Sequence, residues 1–239
     1  MFFDDYKEFV EQDIRSTRVD NFQVTSETLS RRCEVMLPKD LIENKTVLDL
    51  GSALGAMGHW CLTNGAKSYT GVEIQQKYRD TSNFILEKYH KNFQLVKTIE
   101  DISEPHDVVI AAGFLHGTFN IISLIEKVCN LSKQYVIIET VLETSPHEYI
   151  FLSPTVNMIN VNNETISTYT GCTTLPTKTA LNILMQINGF EIEKDNIIPN
   201  IIQTKNKYGV ERFIFRYVKS NNNLIKVLES EIKNGNLEI

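Results

Sequence analysis

A short apolar run that ends in a loop of small residues constrains the fold of this chain more than any other feature. Val47–Leu50 predicts a buried strand, and Gly51–Gly58 follows it with three glycines among small and apolar residues. A second apolar run ends on the acidic residue Glu73. This order is typical of a nucleotide-cofactor site in a doubly wound α/β fold. Glycine lets the backbone approach a ligand that a Cβ would block, and the carboxylate can accept hydrogen bonds from ribose hydroxyls.

The details of the loop decide between kinds of nucleotide. A dinucleotide fingerprint has the form G-x-G-x-x-G, because pyrophosphate packs against a bare helix N-terminus. Here Ala53 stands in place of the middle glycine, and Asp49 lies two residues before the first one. An anion at that point would repel a pyrophosphate but would suit a ligand with cationic groups. S-adenosylmethionine carries a sulfonium and an ammonium and has no phosphate.

Several segments together resemble a known family, the class I S-adenosylmethionine-dependent methyltransferases. Val47–Gly55 resembles motif I of that family, and Val72–Ile74 is similar to the acidic end of its second strand. Asp107–His116 resembles the fourth-strand motif, and Tyr135–Glu139 resembles the fifth strand. The resemblance covers roughly residues 46–218. It implies a Rossmann-like α/β fold with a mostly parallel seven-stranded sheet, helices on both faces and a C-terminal antiparallel hairpin.

The same resemblance implies which residues would bind S-adenosylmethionine. Glu73 would accept from the ribose diol, and Asp49 from the amino group of the methionine part. Asp101 would accept from the adenine amino group, with Glu100 as its rival. Solvated carboxylates or helix caps are the structural alternatives for these acidic residues. The expected cofactor-binding residues are Asp49, Gly51, Ser52, Ala53, Gly55, Glu73, Ile74, Asp101, Ile102 and Ala112.

One residue is a candidate for acid–base catalysis. His116 follows the predicted fourth strand, where the family delivers residues toward the methyl group. A histidine has a pKa near 6.5 and can take a proton from a hydroxyl or amine acceptor. A role as a loop or helix-cap histidine stays open, because the aromatic–histidine pair of relatives is shifted here by one position. Alignment of the reactants alone can supply much of the acceleration, so the reaction can also proceed without a base.

Composition limits the classes of partner. The chain has 239 residues with 24 Lys and Arg against 30 Asp and Glu, a net charge of −6. Because phosphate contacts need clustered basic residues, this charge favours a small-molecule acceptor over RNA. No apolar run reaches about 18 residues, so no membrane span is expected. The four cysteines are far apart, which predicts no metal site, and reduced thiols fit a cytoplasmic protein.

The alternation of apolar runs with helical patterns predicts one domain over residues 1–239. Residues 1–40 would form a helical extension, and the polar residues 141–175 an insertion that sets substrate specificity. The order of strands and helices along the chain indicates a parallel sheet in which the loops that bind ligands lie at one edge. The predicted strands are Val47–Leu50, Ser68–Ile74, Phe93–Val96, Asp107–Ala111, Tyr135–Glu139, Phe190–Ile192 and Arg212–Val218.

The sequence therefore favours a methyltransferase that acts on an oxygen or nitrogen atom, with a small molecule as the acceptor. Two alternatives stay open: an RNA methyltransferase of the tRNA type, and a non-catalytic binding or scaffold member of the same fold. An NAD-dependent oxidoreductase is disfavoured by Ala53 and Asp49. The oligomeric state is not indicated by the sequence.

Overall fold

A seven-stranded sheet forms the centre of the computed structural model, which describes residues 1–11, 25–115, 120–143, 147–148, 150–154, 172–199, 212–221 and 233. The strand order is β3-β2-β1-β4-β5-β9-β8. Strands β1 to β5 are parallel to one another, whereas β9 is antiparallel to both β5 and β8. The strands of this sheet are β1 (Thr46–Leu50), β2 (Ser68–Val72), β3 (Phe93–Val96), β4 (His106–Ala112), β5 (Ser132–Val141), β8 (Phe190–Pro199) and β9 (Arg212–Lys219).

Helices connect the parallel strands and cover both faces of the sheet. Within the described residues three of them precede β1, and the others lie between later strands. Thr25 begins the helix Ser26–Met36 by accepting a hydrogen bond from the backbone of Thr28. The helices are α1 (Glu8–Glu11), α2 (Ser26–Met36), α3 (Lys39–Ile42), α4 (Ala56–Thr63), α5 (Gln76–Leu86), α6 (Ile121–Asn130) and α7 (Lys178–Ile187).

Two hydrophobic cores lie on opposite faces of the sheet, because successive strand residues point to opposite sides. Val47 belongs to the core beneath α2, α4 and α5, whereas Leu48 belongs to the core beneath α6 and α7. In β4, Val108 and Val109 divide in the same way. Strands buried on both faces explain the continuous apolar runs that the sequence shows.

The first residues of the chain pack against the helices that follow the glycine loop. Phe2 and Phe9 contact the ring of His59 on α4, which is 1% exposed. Nδ1 of His59 lies 2.8 Å from Nε2 of His90, beyond α5. The N-terminal segment is therefore part of the core on the α4 side of the sheet.

The predicted fold is confirmed, and the structure corrects several boundaries. The second strand ends at Val72 rather than Ile74, and the fifth runs from Ser132 to Val141, past both predicted ends. The polar region 141–175 contains β6 (Ile150–Pro154) and all but the last residue of β7 (Cys172–Pro176), and the two pair as a separate two-stranded antiparallel sheet. None of the helices in the described part of the chain has the length and apolar character that crossing a bilayer would require.

Candidate functional site

The carboxyl ends of four parallel strands lie together at one edge of the sheet. Asp49 is in register with Gly71 on β2 and with Ile110 on β4. Ala112 at the end of β4 is in register with Glu139 on β5. This edge, on either side of the point where the strand order reverses, is where open α/β sheets bind ligands.

The loop after β1 is held tightly against the end of β2. The backbone N–H groups of Gly51 and Ser52 both donate to the carbonyl of Val72, at 2.9 and 3.0 Å. Gly51 has a φ of 79°, and a Cβ there would lie 3.2 Å from the ring of Phe114. Ala53 has a φ of 48°, a left-handed conformation that favours glycine. The departure from the family pattern at Ala53 therefore occurs at a strained position.

Glu73, directly after β2, joins the glycine loop to the end of that strand by a hydrogen bond. Its Oε2 accepts from the backbone N–H of Ala53 at 3.1 Å, and its Oε1 accepts from that of Gln75 at 2.9 Å. The side chain is 8% exposed, and burial raises its pKa, while the two N–H donors act in the opposite direction. A carboxylate has about four acceptor positions, so Glu73 keeps lone pairs for a ligand.

Asp49 lies deeper in the same edge and is oriented by a tyrosine. Its Oδ2 accepts a hydrogen bond of 3.0 Å from the hydroxyl of Tyr69 on β2. Burial raises the pKa of Asp49 to about 6, although the tyrosine hydroxyl and the charge of Arg32 lower it. Tyr69 can reach this position because Gly58 on α4 has no side chain, since a Cβ there would lie 2.4 Å from the tyrosine ring.

A cleft of about 50 Å³ opens beside Asp49. One water molecule needs roughly 10–15 Å³ of such volume, so the cleft has space for a few waters or a small charged group. Five of the residues predicted for the cofactor site line it, together with others that the sequence did not indicate. The lining residues are Leu29, Arg32, Asp49, Gly51, Ser52, Ala53, Leu54, Ala56, Met57 and Ala112.

The remaining predicted cofactor residues lie outside this lining. Gly55 is the N-cap of α4, and Ile74 follows Glu73 with 42% of its surface exposed. Ile102 packs against the core on the α6 side. Asp101 is exposed, at the end of the 3-10 turn Ile99–Asp101, and its carboxylate accepts from the N–H and hydroxyl of Thr98.

The hydrogen bonds of Asp101 belong to its own turn. They hold the pKa of its carboxyl below the usual value, first through the backbone N–H of Thr98. The rival residue, Glu100, forms an exposed ion pair with Lys127 at 2.7 Å. His116, the predicted base, lies outside the described residues. Its role and the contacts of Asp101 with a cofactor stay predictions.

Two charged residues at the site were not predicted from the sequence. Arg32 on α2 lines the cleft, and its Nη2 forms an ion pair with Oε2 of Glu139 at the end of β5. The pairing joins positions 107 residues apart, which no local pattern shows. Of the two residues, only Arg32 could have been found from the sequence. Its position between Leu29 and Met36 places it on the buried face of an amphipathic helix.

Comparison with solved structures finds methyltransferases of low sequence identity. The 1,6-didemethyltoxoflavin-N1-methyltransferase of Burkholderia thailandensis, solved with S-adenosylhomocysteine, is 14% identical with a TM-score of 0.63. The alignment covers 92% of this chain and 88% of that one. The magnesium protoporphyrin IX methyltransferase of Synechocystis PCC 6803, also with S-adenosylhomocysteine, is 12% identical with a TM-score of 0.60, covering 92% and 97% of the two chains.

A predicted RNA methyltransferase from Pyrococcus horikoshii is similar at 16% identity and a TM-score of 0.51, over 92% of this chain and all of that one. No protein-family model matches the sequence, and a search of curated proteins finds no match. At these identities the likeness concerns the fold. The chain has the Rossmann-like fold of the class I S-adenosylmethionine-dependent methyltransferases, with the antiparallel hairpin at its C-terminal edge.

Proposed function

We propose that this protein is a class I methyltransferase that transfers a methyl group from S-adenosylmethionine to an oxygen or nitrogen atom of a small molecule. The proposal rests on the hydrogen bonds that the backbone N–H groups of the glycine loop form. The N–H groups of Gly51, Ser52 and Ala53 are bonded to Val72 and Glu73, and that of Gly55 donates to Ser52. A loop whose N–H groups are already used does not cradle a pyrophosphate.

The charges around the loop fit the proposed cofactor. Asp49, Glu73 and Glu139 supply three carboxyl groups at this edge, against two guanidinium groups, that of Arg32 and that of Arg79, which donates to the carbonyl of Glu73. Such an excess of acid suits a ligand with a sulfonium and an ammonium. Structures of the same fold were solved with S-adenosylmethionine or S-adenosylhomocysteine, which supports this choice.

We assign binding and orientation to the residues of the sheet edge. Glu73 would accept from the ribose diol with the lone pairs that Ala53 and Gln75 leave, and Asp49 from the amino group. When bound, S-adenosylmethionine supplies an electrophilic methyl group on sulfur, so the chain has mainly to align the acceptor and exclude water. His116 is proposed to take the acceptor's proton.

The acceptor is proposed to be a small molecule. The net charge of −6 supports this choice, because RNA binding needs clustered basic residues. The similarity to the predicted RNA methyltransferase keeps RNA as the alternative. We propose that residues 141–175 set the specificity, and that residues 1–40 extend one catalytic domain formed by residues 1–239. The cytoplasmic location expected from the cysteines stays a prediction.

A two-step experiment tests the function. Melting curves with S-adenosylhomocysteine and with NAD come first, since a ligand at 100 times its dissociation constant stabilises a protein by about 2.7 kcal/mol. Transfer of labelled methyl groups to pooled metabolites and to total RNA follows. We expect stabilisation by S-adenosylhomocysteine alone and label in the metabolite fraction. Label in RNA would favour the alternative acceptor, and stabilisation by NAD alone would contradict the proposal.

A further inference from the structure

Two histidines face each other beneath the first residues of the chain. His59 on α4 is 1% exposed, and its Nδ1 lies 2.8 Å from Nε2 of His90, which follows α5 and is half-buried. At this distance the two nitrogens share one proton, so that one ring donates and the other accepts. If both rings were cationic, two N–H groups would point at each other. The pair therefore requires that at least one of the two rings is neutral.

The surroundings of His59 disfavour a charge on its ring. Its Nε2 is buried, and no hydrogen-bond partner is found for it among the described residues. The ring of Phe9 is stacked on the imidazole with 4.9 Å between centroids, and the ring of Tyr6 is 4.1 Å away. A cationic histidine donates from both ring nitrogens and would need an acceptor at Nε2. Burial accordingly lowers the pKa of His59 to about 3, and the charge of His90 acts in the same direction.

One carboxylate among the described residues acts on this pair. Glu8 of α1 raises the pKa of His59 against the effect of burial. Its Oε1 is already shared, since it accepts from the hydroxyl of Tyr89 at 2.8 Å and lies 3.7 Å from Nζ of Lys88. The rings of Tyr6 and Tyr89 are the other titratable groups that contact His59. An imidazolium would therefore compete with two partners for the carboxylate of Glu8.

The rings around His59 belong to a segment that is docked on two helices. The N–H of Phe3 donates to Oγ of Ser30 on α2, and the hydroxyl of Ser26 donates to the carbonyl of Phe3, both at 3.2 Å. Phe3 and Phe9 have no exposed surface. Without the segment His59 would lose its aromatic cover, and its pKa would return toward the ordinary value near 6.5. Docking of residues 1–11 thus favours the neutral ring.

We propose that the His59–His90 pair is a pH-sensitive latch, which holds residues 1–11 against α2 and α4 at neutral pH and releases them in weak acid. Because the pKa of His59 is lowered in the docked state, the stabilisation is fully present above about pH 6.5 and is lost as the pH falls. Each pH unit below that value should lower the ratio of docked to released segment about tenfold. The inference goes beyond methyl transfer: α2 also carries Leu29 in the cleft wall, so the latch would make that wall sensitive to pH.

Hydrogen exchange of the whole protein, measured by mass spectrometry and corrected for the intrinsic rate at each pH, tests the latch. Protection of residues 1–11 should fall about tenfold between pH 7 and pH 5.5, while that of β1 and β4 stays high. The emission of Trp60, the one tryptophan of the chain, should change in parallel, because its ring lies 4.8 Å from that of Phe2. Unchanged or increased protection in acid would overturn the latch. An equal loss in the two strands would overturn it as well, because it indicates general acid unfolding.

Three variants assign the effect to this pair. His59→Phe keeps an aromatic ring and removes the titrating group, so the protection of residues 1–11 should become nearly independent of pH over this range. His59→Asn keeps a polar atom near the position of Nδ1 and should give the same result if the larger ring does not fit. His147→Gln removes an exposed histidine and should behave like the unaltered protein. A full pH response in the His59 variants, or its loss in the control, would contradict the assignment.

Discussion

The two halves of the candidate site are built differently. In the proposed cofactor half, formed by the ends of β1 and β2, the contacts join nearby segments: Ala53 and Glu73 are 20 positions apart, as are Asp49 and Tyr69. The acceptor half is proposed to lie beyond the end of β4, with His116, and it adjoins a long-range pair in which Glu139 on β5 is reached from Arg32 on α2 across 107 positions.

This difference explains why a ligand can be proposed for the cofactor half from a short stretch of sequence. A cofactor whose structure does not vary is bound by a loop of one defined conformation. Hydrogen bonds between segments that are close in the sequence produce that conformation. The acceptor half is proposed to draw on distant segments, among them residues 141–175, where β6 pairs with β7. The halves should also differ in function: changes in the first should alter cofactor affinity, and changes in the second should alter turnover.

The largest effect is expected in the acceptor half. His116→Ala should lower turnover by about 100-fold or more, because a positioned general base typically contributes 10²- to 10⁴-fold. The dissociation constant for S-adenosylhomocysteine should stay the same. Single-turnover methyl transfer together with calorimetry measures both quantities. Full activity of the variant would remove the base from the account and leave the cofactor half untouched.

The second effect belongs to the cofactor half. Glu73→Gln should weaken S-adenosylhomocysteine roughly 10- to 100-fold, because charge-assisted hydrogen bonds to the ribose would be replaced by neutral ones. Glu87→Gln, at the exposed C-cap of α5, serves as the control and should bind normally. Unchanged affinity in Glu73→Gln would mean that Glu73 only anchors the loop at Ala53.

A third effect follows from the ionisation of Asp49. Burial raises its pKa to about 6, so the carboxylate that is proposed to accept from the ammonium is present above that pH and is lost as the pH falls. Affinity for S-adenosylhomocysteine should drop about tenfold between pH 7 and pH 5. Asp49→Asn should bind weakly at both values, without that slope. An equally steep slope in the variant would assign the titration to another group.

The smallest effect is expected at Asp101. Its carboxylate is exposed and already accepts from Thr98, so a hydrogen bond to the adenine amino group would compete with water. Asp101→Asn should therefore weaken S-adenosylhomocysteine by only about two- to fivefold. A loss as large as that of Glu73→Gln, measured in the same titration, would show that the third strand contributes as much as the second.

Much of the cofactor half could be predicted from the sequence, because its signals are local. Apolar runs mark β1 and β2, Gly51 marks the turn, and Glu73 ends its run. The strained conformation of Ala53 could not be predicted, since alanine usually avoids it.

The rest depends on long-range contacts that leave no pattern. Arg32 appears in the sequence as one more basic residue of a helix, and only the packed structure places it against Glu139. The strands β6 and β7 lie in a polar region without clear alternation, so their pairing was not foreseen. Tyr69 reaches Asp49 only because Gly58 leaves room on a third element.

Titration calorimetry of the unaltered protein with S-adenosylmethionine, S-adenosylhomocysteine and NAD tests the central claim most directly. The account predicts micromolar binding of the first two, at one site per chain, and no heat with NAD. Binding of NAD in place of both adenosyl ligands, or no binding of any of the three, would contradict the assignment of Asp49, the glycine loop and Glu73 to S-adenosylmethionine.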